Sequence, residues 1–176
     1  VLKKLGYETE RIGNVKNLVN KLAQGNRWDM VFNISEGING ISRESQVPAL
    51  LDAYCIPYTF SDPLILALSL HKGMAKSVIR DLGIPTPRFA VIHEITDIND
   101  IDLVYPLFAK PIAEGTSKGI DRMSKLHNAD ELEKVCNNLL GKFRQPVLVE
   151  EYLPGREFTV GIVGTNGRIS TTPIFE

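Results

Sequence analysis

The chain has 176 residues, with 20 Lys+Arg against 21 Asp+Glu, a formal net charge of -1 and 43% hydrophobic residues. This balance provides no overall attraction to nucleic acid or to an anionic membrane, and the apolar fraction is that of a globular chain rather than a disordered one. Cys55 and Cys136 make neither a disulfide framework nor a metal cluster, and the longest apolar stretch, residues 64–70, is interrupted by Ser69 and too short to span a bilayer; a reduced, cytoplasmic protein is expected.

Residues 1–6 read as the last turn of a helix closed by Gly6, with no start signal before it, and the other end stops inside a strand-like run; both suggest a fragment of something longer. Val15, Leu18, Val19 and Leu22 have helical spacing behind Asn14 as N-cap, and Gly25 is a stop. Residues 30–34 are a short apolar run expected to form a buried strand, and residues 35–43 a loop. Residues 44–54 read as a helix with Val47, Leu50, Leu51 and Tyr54 on one face, followed by a second short strand at 56–60. Asp62 followed by Pro63 starts another helix, and residues 71–82 continue helically, with a stripe of Ala75, Val78, Ile79 and Leu82. Strand and helix alternate to about residue 70, an α/β pattern.

From Arg88 the rhythm changes to mostly antiparallel α+β. Strands are expected at 89–92, 107–110, 120–124, 147–153 and 157–163. Asn128 and Glu131 resemble a capping box ahead of Leu132, Val135, Leu139 and Leu140, with Gly141 as the stop. Thr165, Asn166 and Gly167 read as a hairpin turn. Both cysteines lie on apolar elements and are expected in the core. His71, His93 and His127 lack metal-ligand spacing.

Three features could carry chemistry. Lys110 ends a buried strand and runs into a polar loop, Glu114, Gly115, Thr116, Ser117, Lys118 and Gly119, whose glycines and hydroxyls suit a phosphate; alone it equally fits a hairpin with a snorkelling lysine. Residues 147–153 end in the paired carboxylates Glu150 and Glu151, before Tyr152, Leu153 and Glu157; alone this fits a strand end exposing charge. Lys72 and Lys76 lie one turn apart on a helix; alone they fit a solvated face.

In this order the three features resemble the ATP-grasp superfamily, in its D-alanine–D-alanine ligase branch. The resemblance implies an ATP-grasp fold with a partial Rossmann-like (pre-ATP-grasp) N-terminal domain: residues 1–70 for that α/β part, 71–146 for the central ATP-grasp subdomain and 147–176 for the first strands of the C-terminal one. It implies ATP binding by Lys72, Lys110, Glu114, Gly115, Lys118, Gly119, Glu150, Glu151, Tyr152, Leu153 and Glu157, with Thr116 and Ser117 closing over the γ-phosphate. Glu36 and Gly37 fall on the substrate-side loop, where the ligases often carry histidine before the glycine. It also implies Mg2+, with ligands beyond Glu176 and none in the fragment, amino-acid substrates such as D-alanine, an acylphosphate intermediate, and a homodimer for the full-length protein. The fragment itself is expected to be inactive. A non-catalytic nucleotide-binding module is the alternative, to be separated by sequence beyond Glu176.

Overall fold

A computed structural model describes residues 1–165 and 167–176. Among these residues there are five α-helices and six strands: α1 Val15–Ala23, α2 Gln46–Ala53, α3 Pro63–Leu70, α4 Lys72–Asp81, α5 Ala129–Phe143, and β1 Phe89–Ile92, β2 Leu107–Pro111, β3 Lys125–Leu126, β4 Val147–Glu151, β5 Thr159–Thr165, β6 Arg168–Phe175. None of the helices is long and apolar enough to cross a membrane.

The centre is a four-stranded antiparallel sheet in the order β1-β4-β2-β3. Because successive strand residues face opposite sides, each strand contributes to two different environments. One face packs on α5: Ile92, Leu107, Ala109, Leu126, Val147 and Val149 meet Leu132, Val135, Cys136 and Leu139 in one buried cluster. The start of α5 is set by its cap, where Asn128 Oδ1 accepts from the Glu131 amide at 2.9 Å while Glu131 Oε2 accepts from the His127 amide at 2.8 Å. The helix runs through Gly141, where a stop was expected, to Phe143, and ends on Arg144 in the left-handed region, φ 52°. The apolar residues of the last turn, packed against the sheet, outweigh the cost of one helical glycine.

The other face of the sheet lies under α4. Gly73 makes this approach possible, since a Cβ there would come within 2.8 Å of Val91 Cγ2 and 3.2 Å of Ile112 Cδ1. The expected stripe of Ala75, Val78, Ile79 and Leu82 is therefore not the face that packs. Val78 is 40% and Leu82 69% exposed, whereas Gly73 and Lys76 are buried.

Residues 1–62 hold a separate core of Leu18, Leu22, Val31, Val47, Leu51 and Ile56. The expected strands at 30–34 and 56–60 reduce to one parallel bridge, Val31 to Tyr58. The ladder stops because a side chain replaces its next rung: the Asn33 amide donates to Thr59 Oγ1 at 3.0 Å. The strand expected at 120–124 also gives way, to a 3-10 turn over Arg122–Ser124, and the strand begins only at Lys125. Asp121 and Ser124 bind each other's backbone region locally, which competes with sheet pairing.

Leu70, Ile112 and Ala113 form a small cluster joining α3 to the end of β2. β4, the strand expected to open the last unit, lies between β1 and β2 and shares its hydrogen bonds with the central sheet. β5 and β6 form a two-stranded sheet of their own. The hairpin turn expected at 165–167 includes Asn166, which lies outside the described residues.

The cysteines separate rather than sharing a core role. Cys136 is fully buried, and burial pushes its thiol up to about 12, while Cys55 is exposed at the end of α2 with φ 54°. In the native protein a thiol-specific disulfide reagent is expected to modify Cys55 and to reach Cys136 only after denaturation. Two fast-reacting thiols would contradict the packing of α5 on the sheet.

Candidate functional site

The face under α4 gathers the charged residues. β4 pairs with both its neighbours so that Glu150 stands opposite Phe89 on β1 and Phe108 on β2. Lys110 lies two residues along β2 from Phe108, on the same face and diagonal to Glu150, within reach of a long side chain. Its Nζ is 2.5 Å from Glu150 Oε1. The second carboxylate oxygen is taken by Lys76 of α4, 2.8 Å away. Glu150 is thus a largely buried anion between two ammonium groups. Burial alone would raise its pKa; the hydrogen bonds from Lys110 and Lys76 and their charges outweigh that, so the net shift is downward.

Lys72 is the first residue of α4, and its position is fixed by main-chain bonding: its amide donates to Ile112 O at 3.0 Å, two residues past Lys110. Its side chain donates to the carbonyl oxygen of Glu114. Burial, followed by the nearby Lys110 charge, pushes the Lys72 pKa down, and Glu114 and Glu44 only partly compensate. Two cations share a partly desolvated corner, an arrangement that an anion bound there would relieve.

The loop after β2 is held at both ends. Glu114 accepts from Gln145 Nε2 at 2.8 Å and pairs with Lys118 at 3.1 Å and Arg43 at 3.2 Å. Burial pushes the Glu114 carboxyl up, but these partners outweigh it and the net shift is down. At the far end, Gly119 has φ 82°, and a Cβ would fall 2.5 Å from Pro111 Cγ and 2.8 Å from Phe143 Cζ, so only glycine closes the loop against β2. Between these anchors Gly115, Thr116, Ser117 and Lys118 are exposed. Thr116 and Ser117 are consecutive left-handed residues, φ 50° and 59°, a conformation that costs a non-glycine residue energy and clusters at ligand clamps. The loop turns on itself through Lys118 N to Gly115 O and Ile120 N to Ser117 O, both 3.0 Å, leaving the Thr116 and Ser117 amides without an acceptor among the described residues.

The structure therefore brings Lys72, Lys110, Glu114, Lys118, Glu150 and the loop into one region, and it separates others. Glu151 faces the opposite side of the sheet from Glu150, 3.5 Å from Arg88 and accepting from the Val104 amide, so the two carboxylates do not act as a pair. The Tyr152 ring stacks at 6.2 Å on Phe108, and Lys125 Nζ lies over the Tyr152 ring, 4.2 Å from its centroid. Leu153 is 66% exposed, and Glu157 and Glu36 are exposed. Gly37, φ 72°, sits with its missing Cβ against Arg43 O. Arg43 and Gln145 were missed as site members, and Lys76, noted beside Lys72, was given no role of its own. The signal for Lys76 was its spacing of four from Lys72, which puts both on one helix face beside Gly73. Among the described residues no three His, Cys, Asp or Glu groups converge on a metal position.

This is a mixed α/β arrangement of the ATP-grasp class, with a cationic sheet face under a glycine-bearing loop. A family model described as D-ala D-ala ligase C-terminus matches residues 78–176, and the chain belongs to that family. An uncharacterized protein, y4sG, of Sinorhizobium fredii is 38% identical over 84% of the chain and 42% of its own length. A D-alanine--D-alanine ligase of Xylella fastidiosa is 33% identical over 93% of the chain and 54% of its own. Among solved structures, the VanG D-Ala:D-Ser ligase of Enterococcus faecalis superposes with a TM-score of 0.70 at 26% identity, over 83% of the chain and 42% of that protein. The chain spans about half the length of the curated relatives it matches.

Glu150 sets a pH dependence. With its pKa below the ordinary 4.5, its contribution to stability is complete above that value and is lost as pH falls through the lowered folded value. Urea midpoints measured from pH 6 down to about pH 3 are expected to fall more steeply for the wild type than for Glu150→Gln. Parallel profiles would contradict the two-lysine arrangement.

Proposed function

We propose that the chain is the nucleotide-binding part of an ATP-dependent carboxylate–amine ligase of the D-alanyl-D-alanine type. The observation that carries this is the convergence of Lys72 and Lys110 beneath the 114–119 loop, on a sheet face where Glu150 is already shared between two lysines and Glu114 is taken up by Arg43 and Lys118. We read residues 1–70 as part of a Rossmann-like N-terminal domain. The central ATP-grasp subdomain runs from α4 through β4, and β5 and β6 begin the C-terminal one.

ATP is a substrate in this reading. Lys72 and Lys110 neutralise charge on the α- and β-phosphate oxygens, where two desolvated cations gain most from an anion. The 115–118 segment, with the Thr116 and Ser117 hydroxyls and amides, closes over the γ-phosphate and keeps water from it. The backbone at Glu151, Tyr152 and Leu153 borders the base, and Glu157 meets the ribose. In the complete reaction a carboxylate oxygen attacks the γ-phosphorus and releases ADP, giving an acylphosphate; an amine then attacks its acyl carbon, displacing inorganic phosphate and losing a proton, and exclusion of water protects that intermediate. The substrates are amino acids, with D-alanine the default of the family. Magnesium is expected to accompany ATP; among the described residues no three His, Cys, Asp or Glu groups converge to hold it.

Calorimetry tests this reading. The chain is expected to bind ATP, with Lys110→Ala weakening binding by at least about tenfold, equivalent to about 1.4 kcal/mol. Binding is also expected to weaken as salt rises. Equal affinities for wild type and variant would reject the site. With D-alanine and ATP present, the chain alone is expected to form no dipeptide; turnover above the hydrolysis background would overturn that part.

A further inference from the structure

Lys76 is 8% exposed, unusual for a lysine, and its ammonium is enclosed by partners. It lies 2.8 Å from Glu150 Oε2, donates to Thr86 Oγ1 at 2.7 Å, and sits over the Phe89 ring at 5.2 Å from the centroid. An ammonium has three donors; two of those of Lys76 meet Glu150 and Thr86 and the Phe89 ring covers another side, so it is poorly placed to take a phosphate. Lys110 differs. It holds only the other oxygen of Glu150, with Phe108 at 5.8 Å, and its side chain is more exposed, 22% against 11% for Lys76.

We infer that Lys76 is a positioning residue that keeps Glu150 compensated, so that Lys110 can leave the carboxylate for a nucleotide phosphate. This rests on the nucleotide reading above. The physical argument is a comparison of two cases. With Glu150 and Lys110 alone, the pair is neutral, and moving Lys110 to a phosphate would strand a buried carboxylate, which is strongly unfavourable. With Lys76 present, the trio carries one net positive charge. Lys110 can then transfer its bond while Glu150 keeps a full ammonium partner. Thr86, from the segment between α4 and β1, and the Phe89 ring hold Lys76 in place during that exchange. The third charge thus acts through Glu150 and touches no substrate.

Calorimetric titration of the chain with ATP and, separately, with adenosine tests the role, because adenosine lacks the phosphates that Lys110 would meet. Lys76→Met is expected to weaken ATP binding by about tenfold and adenosine binding by less than about twofold, and Lys76→Arg to recover most of the ATP affinity. A second pair covers the case in which Lys76→Met fails to fold. Glu150→Gln and the double variant Lys76→Met/Glu150→Gln are expected to bind ATP equally, since Lys76 has no task once the carboxylate is gone. Three results would overturn the inference while the nucleotide site stands: unchanged ATP affinity in Lys76→Met when Lys110→Ala loses it, equal losses for ATP and adenosine, or a further loss in the double variant. Absence of ATP binding by the wild type would overturn the nucleotide reading and the inference with it.

Discussion

One largely buried carboxylate, that of Glu150, organises this structure's charged face. Glu150 sits in the middle of the sheet, opposite an aromatic ring on each neighbouring strand, where an isolated anion would be strongly disfavoured. Two lysines resolve that conflict, one from the adjacent strand and one from the helix above. The arrangement sets the distance between α4 and the sheet, because Lys76 must reach down while Gly73 allows the helix close enough for it to do so. Once α4 is placed, Lys72 at its first turn is bonded to Ile112 and lies beside Lys110. The cationic corner is therefore a consequence of how the anion is buried.

The two faces of the sheet divide the work. The face under α5 is a dry core of aliphatic side chains, and it supplies the hydrophobic contribution that the charged face does not. The charged face gains little net stability from its ion pairs, because desolvating the ions offsets much of their attraction. What it gains is a set of cations held in defined positions. The loop after β2 is anchored by Glu114 on one side and by Gly119 against Pro111 and Phe143 on the other, with residues 115–118 exposed between them.

Much of the framework is legible from local chemistry. Asn14, Asp62 and Asn128 each announce a helix start that the structure contains, and β1 and β2 lie where their apolar runs predict. The motif residues Lys72, Lys110 and Glu114 likewise fall in one region. What local pattern could not supply is pairing. The insertion of β4 between β1 and β2 depends on contacts far apart in sequence, and it decides that Glu150 faces Lys110 while Glu151 faces Arg88. The same limit explains Lys76: the apolar stripe of α4 pointed to the wrong face, because a glycine and a paired lysine bury better here than the aliphatic residues beside them. Residues 30–34 and 56–60 have strand composition, but side-chain bonding at Asn33 and Thr59 ends the pairing after one bridge.

The central claim is that Lys72 and Lys110 together form the phosphate end of a nucleotide site. An acyl-phosphate derivative of ATP, which transfers its acyl group to lysines lying beside the bound phosphates, tests it most directly when the modified residues are located by mass spectrometry. Labelling is expected to concentrate at Lys72 and Lys110 and to be suppressed by excess ATP, with Lys76 unlabelled. Labelling spread over exposed lysines such as Lys3, Lys4 and Lys16, unchanged by ATP, would contradict it.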